Sequence, residues 1–412
     1  MSRSLRVSLT NIKRVKQSLK RMGFARQKDL AEHLQLSLST VSNYLNGRPV
    51  DFLNFLEISE ALGLDWRDLK EDESHQDILE PPRIPEIYPY YIKREPIEKR
   101  CYETILQPGS LLRIKASKRM GKTLLIDRIL AQAAKNNYHA ISLSLLLTNA
   151  SIYNDLEQFM RWFCLVITRK LRLKAELDNY WEEDLDAILN CTIYFEEYLL
   201  PQINSPLVLA LDELDKIFGA SFASEFLAML RYWHEEARSK VIWQKLRLIV
   251  AHATEAYVAI DINQSPFNVG VPIKLPEFTA QQIQELAQQQ GLVWDNSKIQ
   301  KLMFVLGGHP YRVQRAIYCL KNQEYSFEEM LQAAPTDSGL YSSHLRGHLL
   351  NLREEYPELL AAMKEIVQAS EAVKLEEKLA FQLQSLGLVV FEGNKVKPRC
   401  NLYASYFREH LA

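Results

Sequence analysis

Residues 111–127 read LLRIKASKRMGKTLLID. A short apolar run ends at Ala116, a tight loop opens, and Gly121-Lys122-Thr123 starts an apolar-periodic helix. That strand–loop–helix order is the grammar of a phosphate-binding loop. Backbone N–H groups of the loop and the helix N-terminus face anionic oxygens, and the helix dipole favours them. In this grammar Lys122 supplies a point charge to the β- and γ-phosphates, and Thr123 a hydroxyl ligand for Mg²⁺. The candidate cradle is Ala116, Ser117, Lys118, Arg119, Met120, Gly121, Lys122, Thr123 and Leu124. Ala116 stands where the motif has glycine, its one departure.

A second stretch fits the first. Pro206–Leu211 is apolar at every position, as strands covered on both faces are. It ends in Asp212-Glu213, where a metal-holding Asp and a water-polarising Glu belong. Acidic residues also suit the start of a following helix, but here they lie downstream of Gly-Lys-Thr with room for the intervening elements.

The 412 residues suggest about three domains. With 47% hydrophobic residues, 25% charged residues and a net charge of −1, the chain is an ordinary globular one. No apolar run approaches the ~18 residues of a membrane span, and the basic N-terminus lacks the apolar run of a secretory signal. Five scattered cysteines form no C-x-x-C pair, so a disulfide framework or zinc site is not expected. The expected compartment is the reducing cytoplasm.

Near-neutrality hides a polarity. Residues 1–50 hold ten Lys/Arg against two acids, and residues 51–80 hold two Lys/Arg against ten. A basic head points to a polyanion partner; the alternative is a solvated face. Residues 9–70 read as short helices with brief turns, with Ser37 capping a third helix that Gly47 closes. That helix carries no formal charge. Its candidates for base edges are Ser39, Thr40, Ser42, Asn43 and Tyr44, with Arg48 among those placed to hold phosphates. The stretch ARQKDLAEHLQLSLSTVSNYLNG resembles the Cro/XRE class of helix-turn-helix, which implies contact with double-stranded DNA. Such domains fused to ATPases also serve as protein adaptors.

Residues 71–90 are acidic and then proline-rich, a linker. Tyr91 and Arg94 precede the first sheet strand in a segment that resembles the aromatic–Arg–Glu element of many signalling ATPases, which implies a place beside the nucleotide base; the alternative is a docking segment packed on the domain. The strand Leu246–Ala251 is followed by Thr254, the candidate γ-phosphate sensor, with His252 second. Arg231 and Arg238 are candidate arginine fingers for an oligomer. Five strands with intervening helices give a doubly wound parallel sheet. Thr279 and Gln282 make a capping box opening a helical lid, and His309-Pro310 opens a further helix, with Arg312 and Arg315 as possible phosphate sensors. Residues 340–412 read as three helices and a hairpin at Glu392-Gly393-Asn394-Lys395, a winged helix whose Lys395, Lys397 and Arg399 offer a second DNA contact.

The stretches YIKREPIEKRCYETIL, IKASKRMGKTLL, NCTIYFEEYLLPQINSPLVLALDELD, INQSPFNVGVPIKLPEFT and LGGHPYRVQRAIY resemble the bacterial AAA-like domain family, related to STAND-type signalling ATPases and origin-recognition initiators. The resemblance implies a multidomain α/β chain. Its parts are a helix-turn-helix (1–70), a linker (71–90), a P-loop core (91–276), a helical lid (277–337) and a winged helix (338–412). It maps Lys122 and Thr123 to the Walker A lysine and hydroxyl, Asp212 and Glu213 to Walker B, and His309-Pro310 to the lid motif. It implies ATP/ADP and Mg²⁺ as cofactors, slow ATP hydrolysis, a protein partner and nucleotide-dependent self-assembly. The expected function is an ATP-dependent regulatory switch that contacts DNA; the alternatives are a nucleotide-locked scaffold whose helix-turn-helix is an adaptor, and a DNA-dependent initiator- or loader-type ATPase. Glu255 stands where many relatives carry a sensing arginine.

Overall fold

The computed structural model describes residues 4–8, 11–34, 36–64, 66–69, 90–145, 150–254 and 268–411. Glu255 and all but the last residue of the 71–90 linker lie outside the described residues.

Helices α1 (Ile12–Arg21), α2 (Gln27–Leu34), α3 (Leu38–Leu45), α4 (Phe52–Ala61) and α5 (Trp66–Leu69) surround a small core of Val15, Leu30, Val41, Tyr44, Phe55 and Ile58. The Ser37 side chain accepts the Thr40 N–H, satisfying a donor that the first turn of α3 leaves free. Gly47 follows α3 at φ 67°, and a Cβ there would stand 2.9 Å from the Val7 carbonyl oxygen. Strands β1 (Ser4–Leu5) and β2 (Val50–Asp51) pair antiparallel beside it. Two residues carry no periodicity, so this pairing was not foreseeable from pattern.

After α6 (Ile97–Ile105), the chain builds a five-stranded sheet from β3 (Leu111–Ala116), β4 (His139–Ser144), β5 (Leu207–Asp212), β6 (Leu246–Ala253) and β7 (Val271–Lys274). The order is β4-β5-β6-β3-β7 and all pairings are parallel. Alternate residues of β5 feed opposite layers. Val208 and Ala210 pack with α6 and α7 (Lys122–Lys135). Leu207, Leu209 and Leu211 pack with α8 (Leu156–Lys170), α9 (Ala187–Ile193), α10 (Leu200–Gln202) and α11 (Ala223–Glu236). The aromatic stripe of α8 is packing: Phe163 stacks near Phe195 and meets Phe226 edge-on. This is the parallel α/β core expected from sequence, and every residue of β5 and β6 is buried.

The segment expected as a lid follows: α12 (Ala280–Gln289), α13 (Asn296–Leu306), α14 (Pro310–Lys321) and α15 (Phe327–Ala333). The Thr279–Gln282 capping box is formed. Then come α16 (Ser342–Glu354), α17 (Pro357–Gln368), α18 (Glu377–Ser385), the hairpin β8 (Val389–Glu392) and β9 (Lys395–Pro398), and α19 (Asn401–His410). Lid and C-terminal helices share one apolar core, from Ile283 and Leu302 through Leu349 and Met363 to Phe407. Among the described residues no helix is long and apolar enough to cross a membrane.

Candidate functional site

The site lies at the carboxyl ends of β3, β5 and β6. β3 ends at buried Ala116, and the chain turns through Arg119 (φ 60°) and Gly121 (φ 91°) into α7. A Cβ at position 121 would stand 3.3 Å from an Arg94 guanidinium nitrogen, so glycine suits both the backbone and the space. Lys122 is 9% exposed and its Nζ donates to the Ala116 and Ser117 carbonyls at 3.0 Å each. The ammonium is thereby folded into the loop whose backbone it serves.

The two acidic residues converge on the same point. Thr123 Oγ1 donates to Asp212 Oδ2 at 2.5 Å, and Asp212 is 1% exposed. The other Asp212 oxygen accepts the Glu213 N–H at 2.9 Å. Glu213 adopts the left-handed region (φ 59°, ψ 39°), which costs a non-glycine residue on the order of 1–2 kcal/mol. Its Oε2 accepts a hydrogen bond from Ser144 Oγ at 2.6 Å. Ser144 ends β4 in register with Asp212. Sequence reading missed Ser144, although the last residue of a strand adjacent to an acidic strand end is a position to inspect. Asp215 Oδ1 accepts the Ala253 N–H at 2.9 Å, tying the end of β6 to the segment after Glu213.

Thr254, at the end of β6, lies beside the loop. Its N–H donates to the Ala116 carbonyl at 3.1 Å, and its hydroxyl lies 3.1 Å from Ser117 Oγ and 3.2 Å from the carbonyl of Ser385, the last residue of α18. His252 is buried, and that burial is the main cause that lowers its pKa to about 4, so the ring is neutral near pH 7. The lid reaches the same loop: His309 Nε2 lies 3.2 Å from the Lys118 carbonyl, and Pro310 is the first residue of α14. Burial, then the nearby Arg312 charge, hold the His309 pKa well below its ordinary value.

Arg94 is brought to the loop as well. It donates to the Met120 carbonyl at 2.7 Å and lies 5.0 Å from the centre of the Phe278 ring. Tyr91 instead donates to Glu98 at 2.8 Å while the Arg128 guanidinium covers its ring at 4.2 Å, contacts of a docking segment. Leu124 occupies the first turn of α7, half-buried.

Several sequence expectations are corrected. Tyr44 is fully buried, with its hydroxyl 2.7 Å from Ser59 Oγ and its ring against Phe55, so it is a core residue and cannot read a base edge. Ser39 and Arg48 are exposed, while Thr40, Ser42 and Asn43 are half-buried on α3. Arg315 turns toward Glu57 of α4 at 3.7 Å, away from a phosphate-sensing role. Arg312 is 2% exposed between Glu277 (3.6 Å) and the Tyr403 ring (5.0 Å). Arg399 reaches Glu277 of the lid at 3.3 Å, so it does not extend with Lys395 and Lys397 from the hairpin. Arg231 is held by Glu235 and Asn268, both at 2.9 Å, which argues against a free finger; Arg238 is exposed just beyond α11.

A helix-turn-helix family model matches residues 16–69. No curated protein sequence matches. Among solved structures, a Walker-type ATPase of Pyrococcus abyssi superposes with TM-score 0.57 at 16% identity, covering 80% of this chain and 99% of that one. The ORC2 protein of Aeropyrum pernix, solved in ADPNP–ADP complexes, gives TM-score 0.47 at 18% identity, covering 76% and 91% of the two chains. A family model described as an AAA-like domain matches residues 82–409, most of the chain, and the protein belongs to the AAA-like domain family.

Proposed function

We propose that this protein is a nucleotide-operated switch: it binds ATP and ADP at the loop 116–124, hydrolyses ATP slowly to ADP and phosphate, and contacts double-stranded DNA through its helix-turn-helix. The observation that carries the reading is the convergence of Lys122, Thr123, Asp212 and Glu213 on one point at the strands' carboxyl ends. Lys122 and the loop N–H groups bind phosphate oxygens. Glu213, steadied by Ser144, orients and polarises the attacking water. Thr254 and His309 flank the loop from β6 and the lid, where they report the terminal phosphate. Arg94 borders the loop on the base side.

The Thr123 hydroxyl and Asp212 carboxylate are hard oxygen donors already aimed at each other, a set that suits Mg²⁺ with its remaining positions filled by phosphate and water. When bound, the ion neutralises charge on the β- and γ-phosphates. The working divisions of the chain are 1–70, 71–90, 91–276, 277–337 and 338–412, the last a winged helix that closes on the loop near Thr254. The setting is the cytoplasm of a signalling or regulatory system of the STAND type.

A second reading is favoured by the uncharged third helix: the helix-turn-helix is a protein adaptor, and nucleotide locks an assembly. Selection of genomic DNA fragments by the purified chain with Mg²⁺-ATP or ADP separates the two. Fragments sharing one motif support the DNA reading, and no fragments support the adaptor. The nucleotide site is tested by Lys122→Ala, expected to weaken ATP binding by about 100-fold, the loss of a buried charged contact. Wild-type affinity in that variant removes the assignment.

A further inference from the structure

The phosphate-binding loop touches the helix-turn-helix. Arg119 lies in the loop, two residues before Gly121, and its guanidinium reaches α4. It pairs with Glu60 at 3.5 Å and covers the Tyr311 ring of α14 at 4.3 Å. The Tyr311 hydroxyl donates to Glu57 at 3.2 Å, and Arg315 pairs with the other Glu57 oxygen at 3.7 Å. The acidic edge of α4 is thus seated on one residue of the loop and two of the lid. Lys13, Lys16, Lys20 and Arg48, together with Ser39 of α3, remain exposed. The charge polarity of the first eighty residues therefore has a structural partner on its acidic side.

We infer that this contact is an electrostatic latch in which Arg119 is shared between the nucleotide and the helix-turn-helix, so that phosphate occupancy of the loop loosens α4 from the ATPase core. The inference rests on the nucleotide-binding reading above. Its direction follows from the charges in competition. The Glu60 side chain is 52% exposed and makes one long pair, a contact of small strength. A triphosphate in the same loop carries about four negative charges and attracts the same guanidinium within a few ångströms. If Arg119 leaves Tyr311, the tyrosine loses its stacking partner, and Glu57 keeps Arg315, its more buried contact, as the main tie. Linkage makes the effect reciprocal: whatever frees α4 must tighten nucleotide binding.

The test uses the full chain, with amide hydrogen exchange read by mass spectrometry and a non-hydrolysable ATP analogue with Mg²⁺ as probe. Exchange in α4 is expected to rise several-fold with the analogue while loop amides 117–124 gain protection. Glu57→Gln/Glu60→Gln should raise α4 exchange without nucleotide and tighten analogue binding about fivefold, the low end of coupling between sites. The pair Glu57→Arg with Arg315→Glu should restore α4 protection, which a merely misfolded variant would not do. Protected loop amides with unchanged α4 exchange would overturn the latch and leave nucleotide binding standing. Loop amides that gain no protection would remove the nucleotide reading, and the latch with it. Equal analogue affinity in the Gln variant and wild type would also overturn the latch.

Discussion

The C-terminal helices and the N-terminal helix-turn-helix both reach the phosphate-binding loop, but by different means. The C-terminal unit shares an apolar core with the lid, and α18 ends where the Ser385 carbonyl meets Thr254. The helix-turn-helix keeps a core of its own and meets the rest through Arg119, Tyr311 and Arg315 against Glu57 and Glu60. Apolar burial is strong, insensitive to salt and all-or-none in packing. The Arg119–Glu60 pair, with side chains 34% and 52% exposed, is weak and responds to any new charge nearby, while Arg315–Glu57 lies deeper. The first attachment suits a part that moves only with the lid; the second suits a part that can be released.

The largest expected effect breaks the C-terminal side of this contrast. Phe407→Ala, in the shared core, should cost about 3–5 kcal/mol and lower the melting of lid and C-terminal helices together. Two separate transitions in calorimetry would show that the core is not continuous. Acid gives a smaller effect, at one histidine of the sheet and one of the C-terminal helices. His252 and His348, each mainly through burial, have pKa values lowered from 6.5 to about 4. Below pH 6.5 the unfolded chain takes up protons that the folded chain refuses, so their contribution to stability is present above that pH and is lost as pH falls toward 4. Thermal melts should drop between pH 7 and pH 5 by an amount on the order of a few kcal/mol in stability. A flat profile would mean that neither ring is held neutral. The smallest effect belongs to the helix-turn-helix. Raising salt from ~50 mM to ~500 mM should speed exchange in α4 by less than about 1 kcal/mol equivalent and leave α17 and α19 unchanged. Equal responses at both ends would erase the distinction.

Much of this was legible in the sequence because it is local. The phosphate loop, the all-apolar strand ending in Asp212-Glu213, the Ser37 cap and the Thr279–Gln282 box are each spelled within a few residues. What failed depends on which way a helix faces. The hydroxyl of Tyr44 suggests a polar reader, yet Val41, Tyr44 and Leu45 fall at one helical spacing and all turn inward. Arg315 and Arg399 carry the charge of phosphate sensors or DNA contacts, and only tertiary packing aims them at Glu57 and Glu277. Ser144 was missed because its importance comes from register with Asp212, a property of two strands and of neither alone. Glu57 and Glu60 were visible only as part of a charge balance.

The left-handed backbone of Glu213 sets two selective pressures against each other. Glycine at that position would relax the backbone and stabilise the fold by about 1 kcal/mol, while removing the carboxylate that Ser144 holds and to which the proposed function gives the attacking water. A screen that rewards only thermal tolerance would drift toward Glu213→Gly, and under the proposed function the sturdier protein would bind ATP without hydrolysing it.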